Sequence, residues 1–176
     1  TFNFIYSVFT LNNKMVVSEI SGQTILVMLE MAMMNYPSEN GSFPHVSGIT
    51  FSVNTSIPTS VKLDSNGFFI GVEGERRVYD VMIFDKAAGT YKPLDAEAKY
   101  TIAATNYFLI DRGSGMSMLA NTKVLQNEGV LEIEVLEKYI VENLGGVIDE
   151  RYAEVDNRIT FTNGYANAVA EELMAA

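Results

Sequence analysis

The sequence contains no cysteine and a single histidine, His45. The lack of cysteine excludes thiol catalysis, disulfide bonds and thiolate metal sites. One histidine cannot supply the several imidazoles of a typical catalytic metal site, and it is the sole candidate base for a Ser/His/Asp triad. Between Pro44 and Val46, His45 is interpreted as a packed or hydrogen-bonded structural residue. We therefore expect no catalytic residue and no metal site in this chain.

Basic residues are also scarce, because the 176 residues include 12 Lys and Arg against 22 Asp and Glu, a net charge of −10. Nucleic acids are bound through basic surfaces, so we expect no nucleic-acid partner. The longest apolar run, from Ile25 to Met34, is interrupted by Glu30 and is too short to cross a bilayer. A secretory signal is not visible. Because the chain opens on Thr1 rather than on Met, this absence says nothing about export.

Two long segments have the periodicity of amphipathic helices. Residues 1–9 predict a further, short helix whose first residue lies near the N-cap. The first long helix is expected to start after Ser21-Gly22 and to end at Pro37. The second is predicted over residues 131–144, with Gly145-Gly146 as its stop. The predicted apolar faces are Ile25, Met28, Leu29, Ala32 and Tyr36 in the first, and Leu131, Val135, Leu136, Tyr139, Ile140 and Leu144 in the second.

Other segments have the pattern of strands, most clearly where Ile49, Phe51 and Val53 alternate with polar residues. Few helices with a largely antiparallel or mixed sheet predict an α+β (mixed α/β) domain. We assign residues 1–162 to this domain, with a truncated N-terminal edge, and residues 163–176 to a tail or linker. The remaining predicted strands are Lys14–Ile20, Val61–Leu63, Val78–Phe84, Thr90–Lys92, Tyr100–Ala104 and Arg158–Phe161.

Most features that could carry chemistry have a simpler structural interpretation. The Gly113-Ser114-Gly115 segment lacks the lysine of a phosphate-binding P-loop. Acidic residues at helical spacing are expected to form a solvated helix face, and clustered methionines to fill the core or an interface. The residues concerned are Glu132, Glu134 and Glu137, and Met28, Met31, Met33 and Met34.

The segment Asn106-Tyr107-Phe108 is more informative, because a predicted strand ends there and a glycine-bearing loop follows. Aromatic rings at such a sheet edge could stack on a nucleobase, which is worth about 1–3 kcal/mol per base. The alternative is that Tyr107 and Phe108 are core residues, and composition alone favours that alternative.

Four segments, in order, resemble the C-terminal domain of 5'-nucleotidases. Residues 20–30 read ISGQTILVMLE, similar to the family's L-T-G-x-x-L-x-x-x-L-E segment. Residues 43–49 read FPHVSGI, similar to F-P-x-V-S-G, and residues 93–109 read PLDAEAKYTIAATNYFL, similar to P-L-D…Y-x-V-A-T-N-D-F-L. Residues 157–161, NRITF, resemble the closing G-R-I-x-F. Each segment alone is weak, whereas the ordered set indicates the two-domain 5'-nucleotidase or UDP-sugar hydrolase type.

This resemblance implies that hydrolysis and substrate binding are carried out by two different domains. An N-terminal metallophosphoesterase domain would hold divalent metals and hydrolyse the phosphate ester, and no cofactor would bind to this chain. The C-terminal domain would bind a nucleotide or nucleoside, with the base between two aromatic rings, and would position it for hydrolysis. Family members are typically exported, so the resemblance also implies an extracytoplasmic location.

Carried over by position, the resemblance makes Phe108, next to Asn106, one of the two stacking rings. The other ring belongs to a P-F-x-N motif, which here reads Thr10-Leu11-Asn12-Asn13, so that Leu11 replaces the aromatic residue and Asn13 agrees. The family loop G-G-D-G reads Arg112-Gly113-Ser114-Gly115. The candidate substrate-binding residues are therefore Leu11, Asn13, Asn106, Phe108, Arg112, Gly113 and Ser114.

The departures at Leu11, Arg112 and Ser114 change the expected chemistry. Leu11 keeps apolar contact but removes one face of the aromatic sandwich. Ser114 replaces an acid, and Arg112 could reach a phosphate or an acidic sugar. We expect altered specificity or weakened nucleoside binding with the fold retained. Two alternatives stay open: a non-catalytic surface binding module with a degenerate nucleoside pocket, and an interaction domain whose Met-rich helix packs on a partner domain.

Overall fold

A computed structural model describes residues 2–127 and 129–162 of the chain. These residues form two compact units. The first comprises residues 2–20, 100–113 and 119–156, and the second comprises residues 21–99, 114–118 and 157–162. Residues 163–176 lie outside the described residues. Their assignment to a tail or linker, and that of residues 1–162 to one domain, therefore stay predictions.

Helices and strands are mixed along the chain, which confirms the predicted α+β class. In the described residues no helix has the length and apolar character needed to span a membrane. The helices are α1 (Phe2–Val8), α2 (Gly22–Ala32), α3 (Asn106–Leu109) and α4 (Glu132–Lys138), and a π-helix (Tyr139–Asn143) follows α4. The strands are β1 (Met15–Ser21), β2 (Ile49–Asn54), β3 (Val61–Leu63), β4 (Phe69–Val72), β5 (Val78–Asp85), β6 (Thr90–Pro93), β7 (Lys99–Thr105), β8 (Lys123–Gln126) and β9 (Ile159–Thr162).

The first unit is built on a three-stranded sheet in the order β7-β1-β8. Buried and half-buried residues alternate along β1, as the sequence predicts, and its buried side chains include Val16 and Ile20. The predicted short helix is α1, which contacts α4. There the carboxylate of Glu137 raises the pKa of the Tyr6 hydroxyl, chiefly through its negative charge. The two helices are therefore in contact at Tyr6 and Glu137.

The second predicted long helix is confirmed, but its predicted apolar face is wrong in part. Val135 and Tyr139 are exposed, whereas Ile133, which the predicted apolar face did not include, is buried together with Ile140. Ile133 and Ile140 are seven residues apart, so they share one face of the helix, and that face is the buried one. The helix stops at the predicted Gly145-Gly146, where the Gly146 N–H donates to the Ile140 carbonyl at 2.8 Å.

The second unit contains a four-stranded sheet in the order β6-β5-β2-β9. β9 pairs with β2 in parallel, and β5 pairs with both β2 and β6 in antiparallel orientation. Phe51 and Val53 are buried, which confirms the prediction made from the alternation in β2. β3 and β4 form a separate two-stranded sheet. β4 and β8 were not predicted, because both are short and mostly lack buried side chains.

α2 begins where the sequence predicts. The Thr24 N–H donates to the Ser21 hydroxyl oxygen at 3.1 Å, so that Ser21 caps the helix. At Gly22 the backbone passes so close to Asp95 that a Cβ atom would lie 2.0 Å from the Asp95 carbonyl oxygen. Only glycine fits there without a shift of the backbone.

The end and the face of α2 differ from the prediction. The helix ends at Ala32 rather than at Pro37, so Tyr36 lies outside it, and Met28 is only half-buried. The buried side chains of the helix are spread around most of its circumference, since α2 lies in the core of its unit. Met31 in the helix and Met33 just after it are both buried, which confirms the interpretation of these methionines as core residues.

α2 also carries a buried carboxylate, that of Glu30, which is 0% exposed. It accepts hydrogen bonds from the Ser60 hydroxyl at 2.6 Å, the Arg77 N–H at 3.1 Å and the Val78 N–H at 3.0 Å. The Arg77 guanidinium, also buried, donates to the carbonyls that follow α2, those of Met33 at 3.0 Å and Tyr36 at 2.9 Å. These bonds hold the segment that follows α2, and they give the buried charges of Glu30 and Arg77 hydrogen-bond partners.

Replacing Glu30 with glutamine should destabilise the protein. Glutamine has nearly the size of glutamate, but its NH2 group would face one of the three groups that now donate hydrogen bonds to Glu30. We expect the free energy of unfolding to fall by about 1–3 kcal/mol. Urea unfolding followed by circular dichroism measures this, with Glu39→Gln at an exposed position as the control. Equal midpoints for the two variants would show that the Glu30 contacts contribute little.

Candidate functional site

The candidate site starts where β7 ends and the single-turn helix α3 begins, at Asn106. The Asn106 N–H donates to the Lys14 carbonyl at 2.8 Å, and the Lys14 N–H donates to the Asn106 Oδ1 at 2.7 Å. A predicted ligand residue thus connects the end of β7 with the residue that precedes β1.

Asn106 also closes the loop that follows α3. Its carbonyl accepts from the N–H groups of Ile110 at 2.9 Å and Asp111 at 3.0 Å. Its side-chain Nδ2 donates to the Asp111 carboxylate at 3.3 Å. Asp111 was not among the predicted site residues. The signal that could have identified it is an acidic residue shortly after the aromatic pair, at the start of the glycine-bearing loop.

Tyr107 and Phe108 form an edge-to-face pair, with ring centroids 6.0 Å apart and an interplanar angle of 80°. Tyr107 is 45% exposed, Phe108 is half-buried, and the next residue, Leu109, is buried. The interpretation of both rings as core residues is therefore wrong for Tyr107. Leu109 anchors the turn in the core and leaves Tyr107 at the surface. The predicted site did not include Tyr107, although its place beside Phe108 indicates it.

The backbone at Gly113 lies against the Tyr107 ring. A Cβ atom at Gly113 would be 2.2–2.5 Å from the Cζ, Cε1 and Cε2 atoms of Tyr107. Such distances are far below a van der Waals contact, so glycine is required if the ring is to keep its place. Gly113 therefore packs with its backbone against the Tyr107 ring, and as a glycine it has no side chain that could contact a ligand.

The segment before β1 contains the other two predicted residues, Leu11 and Asn13. Leu11 is 80% exposed, so it does not pack in the core of this chain. Asn13 is joined to the start of α4, because its Nδ2 donates to Glu132 at 3.2 Å and its carbonyl accepts the Glu132 N–H at 2.9 Å. Asn13, like Asn106, is occupied by bonds within the chain, and Glu132 is not a purely solvated residue.

Arg112 and Ser114 both have left-handed backbone conformations, with φ of 55° and 57°. Arg112 is exposed in the first unit. Ser114 is counted with the second unit, where its Oγ accepts a hydrogen bond from the Ser42 hydroxyl at 2.6 Å. The structure therefore places Leu11, Asn13, Asn106, Phe108, Arg112 and Gly113 in one compact unit, and Ser114 in the other.

His45 and the acidic residues form no metal-holding cluster in the described part of the chain. His45 is exposed and touches Phe43 edge-on, with ring centroids 6.1 Å apart, so the packing expected for it is limited to that contact. Within residues 2–127 and 129–162, no three His, Cys, Asp or Glu side chains are arranged to hold a metal ion. The first unit instead offers an exposed aromatic surface with an oriented carboxylate close in sequence. Such groups are suited to binding a planar ring that carries hydrogen-bond donors.

Comparison with known proteins identifies the family. The family model described as 5'-nucleotidase, C-terminal domain, matches residues 1–121. The chain is 28% identical over 149 residues to a 5'-nucleotidase of Diplobatis ommata, a match that covers 84% of this chain and 22% of that protein. The structure of the 5'-nucleotidase precursor from Thermus thermophilus has a TM-score of 0.74 and 25% identity, covering 94% of this chain and 28% of that one.

A more distant structure supports the fold alone. The NAD nucleotidase of Haemophilus influenzae has a TM-score of 0.61 at 18% identity, with 94% of this chain and 27% of that one covered. The chain spans between 22% and 28% of the length of these relatives. Because the family model matches well over half of its residues, the chain belongs to the 5'-nucleotidase C-terminal domain family.

Proposed function

We propose that this domain binds the nucleoside part of a nucleotide or a related phosphate ester and positions it for hydrolysis by another domain of the same polypeptide. Membership of the family and the name of its relatives, 5'-nucleotidase, support this substrate class. An N-terminal metallophosphoesterase domain would hold the divalent metals that activate the attacking nucleophile. This domain would contribute orientation, which lowers the entropic part of the barrier.

The observation that carries the proposal is the edge-to-face pair of Tyr107 and Phe108. An exposed ring beside a half-buried one gives a planar base a surface on which to stack. Because Leu109 already anchors the turn in the core, ligand binding would cost little side-chain entropy. Stacking tolerates different bases, since every base has a π face. The pair therefore suits a domain that serves several nucleotides.

The remaining predicted residues would act in different ways. The side chains of Asn13 and Asn106 would hold the loops, since they already bond to Glu132, Lys14 and Asp111. Exposed Leu11 would add apolar contact to the ligand, and exposed Arg112 would meet an anionic group such as a phosphate. Gly113 and Ser114 would shape the loop. We further propose an exported protein, in keeping with the precursor name of the Thermus relative.

The alternative of a non-catalytic surface module with a degenerate pocket is not favoured. A degenerate pocket would no longer need a glycine at position 113 or an exposed ring at position 107. Both are present, and they fit each other closely.

Phe108→Ala and Tyr107→Ala should each weaken nucleoside binding. A stacking loss of about 1–3 kcal/mol raises the dissociation constant about 5- to 150-fold. Isothermal titration of the 176-residue chain with adenosine, AMP, a UDP-sugar and NAD measures the effect. Tyr91→Ala, which removes a similarly exposed ring in the second unit, is the matched control. Binding that is unchanged in both site variants would rule out the aromatic pair as the ligand surface.

Gly113→Ala should also weaken binding, because the new methyl group displaces the Tyr107 ring. The displacement is measured as a change in the NMR signals of the Tyr107 ring, and the binding by the same titration. Gly41→Ala is the control, since a Cβ atom there meets nothing within 4 Å. If the Tyr107 signals of the two variants were the same, the loop would have moved instead of the ring.

A further inference from the structure

The four-stranded sheet of the second unit has two faces, and its register assigns each strand residue to one of them. Successive residues of a strand point to opposite faces, and residues directly opposite each other on neighbouring strands share a face. Phe51 and Val53 on β2 are buried, as is Val78, which lies opposite Val53 on β5. These residues belong to the face that is packed in the core, so the residues that alternate with them point outward.

One half of the outward face is polar. The outward residues of β2 are Thr50, Ser52 and Asn54, which alternate with the buried ones. On β9, Thr160 lies opposite Ser52, and Thr162 lies opposite Asn54. All five side chains have a hydroxyl or an amide group, so this half of the face can both donate and accept hydrogen bonds without carrying a charge.

The other half of the outward face is aromatic. Tyr79 and Met82 on β5 lie opposite outward residues of β2. Phe84, two residues after Met82, lies opposite Tyr91 on the edge strand β6. The three rings are each between 37% and 41% exposed. Large rings at the surface are a common feature of binding sites.

Contacts within the face hold its rings in place. Phe84 and Tyr91 pack against each other, with ring centroids 5.2 Å apart and an interplanar angle of 58°. The Tyr79 hydroxyl lies 3.0 Å from the Thr162 Oγ1, within hydrogen-bonding distance. Because these side chains are already ordered, a ligand that binds to them loses little affinity to side-chain entropy.

The outward residues of the four strands are uncharged, although 19% of the chain is charged and its net charge is −10. Asp80 interrupts the alternation, because it lies at the bulge in β5, where the register shifts and φ is 50°. We call the outward residues of β2, β5, β6 and β9 other than Asp80 the uncharged face. Such a surface offers nothing to an ionic partner. It suits a neutral ligand that is partly apolar and rich in hydroxyl groups.

We propose that the uncharged face binds a neutral glycan of β-linked pyranose sugars. The C–H groups on the face of a pyranose ring pack against aromatic side chains, and the hydroxyls around its rim bond to hydroxyl and amide groups. An anionic polymer would be repelled by the acidic chain. A permanent protein partner would favour a more apolar face. This inference goes beyond the proposed function and does not depend on it, since the aromatic pair of Tyr107 and Phe108 lies in the first unit.

The test is isothermal titration of the 176-residue chain with hexasaccharides of β-linked glucose and of β-linked N-acetylglucosamine. We expect at least one of them to bind, and a galacturonic acid hexasaccharide to bind about 10-fold more weakly or not at all. Phe84→Ala and Tyr91→Ala should each weaken binding about 3- to 10-fold, and Tyr91→Phe should keep it, since the ring remains. Tyr152→Ala, which removes a similarly exposed ring in the first unit, is the control and should bind like the wild type.

Several outcomes would overturn the inference. They are a wild-type chain that binds neither neutral hexasaccharide, binding that is equal in Tyr91→Ala and Tyr152→Ala, and equal binding of the neutral and the anionic hexasaccharide. Size-exclusion chromatography adds another arm. A dimer that dissociates in Phe84→Ala, from a chain that binds no glycan, would make the face an interface between two copies. Adenosine titration of Tyr91→Ala keeps the two proposals apart, because loss of glycan binding with unchanged adenosine binding supports this inference alone.

Discussion

The second unit depends on the burial of one carboxylate. Glu30 lies on a helix whose other buried side chains are apolar, and it accepts three donors that come from Ser60, Arg77 and Val78. Arg77 in turn donates to the carbonyls of Met33 and Tyr36, in the segment that follows the helix. Helix, strand and connecting loop are thus fixed relative to one another by directional bonds, which apolar packing alone would not provide. Without these bonds, the buried Glu30 carboxylate and the buried Arg77 guanidinium would both lack hydrogen-bond partners.

Asparagine has the corresponding role in the first unit. Asn106 and Asn13 each bond with both backbone and side chain to a residue distant in sequence, Lys14 and Glu132 respectively. An asparagine side chain suits such positions because its amide both donates and accepts hydrogen bonds. It can therefore pair with groups at the ends of strands and the starts of helices that have no partner within the strand or helix. The aromatic pair of Tyr107 and Phe108 is mounted on this framework, which gives it a fixed place at the surface.

Local patterns predicted most of the fold. The alternation in β2, the Ser21-Gly22 start of α2 and the glycine pair after residue 144 each depend on neighbouring residues, and each is confirmed. The failures have a common cause, since they depend on distant partners. The burial of Glu30 was not predicted, because it depends on donors from Ser60 and Arg77, which are distant in sequence. β8 was missed because its residues are all exposed and its order comes from pairing with β1.

The site was predictable to a lesser degree. The resemblance gave its positions, but it could not show that Asn13 and Asn106 bond inside the chain across 119 and 92 residues. It also did not include Tyr107, whose exposure at the surface only the structure shows.

The close approach of Gly113 to the Tyr107 ring has a consequence for how this family can diverge. The two positions compete for one volume, so they cannot vary independently. A chain with a large aromatic residue at position 107 must keep glycine at 113, whereas a small residue at 107 frees position 113 to carry a side chain. A side chain gained at position 113 alone is therefore harmful, so the two positions can change only together or with the ring at position 107 lost first.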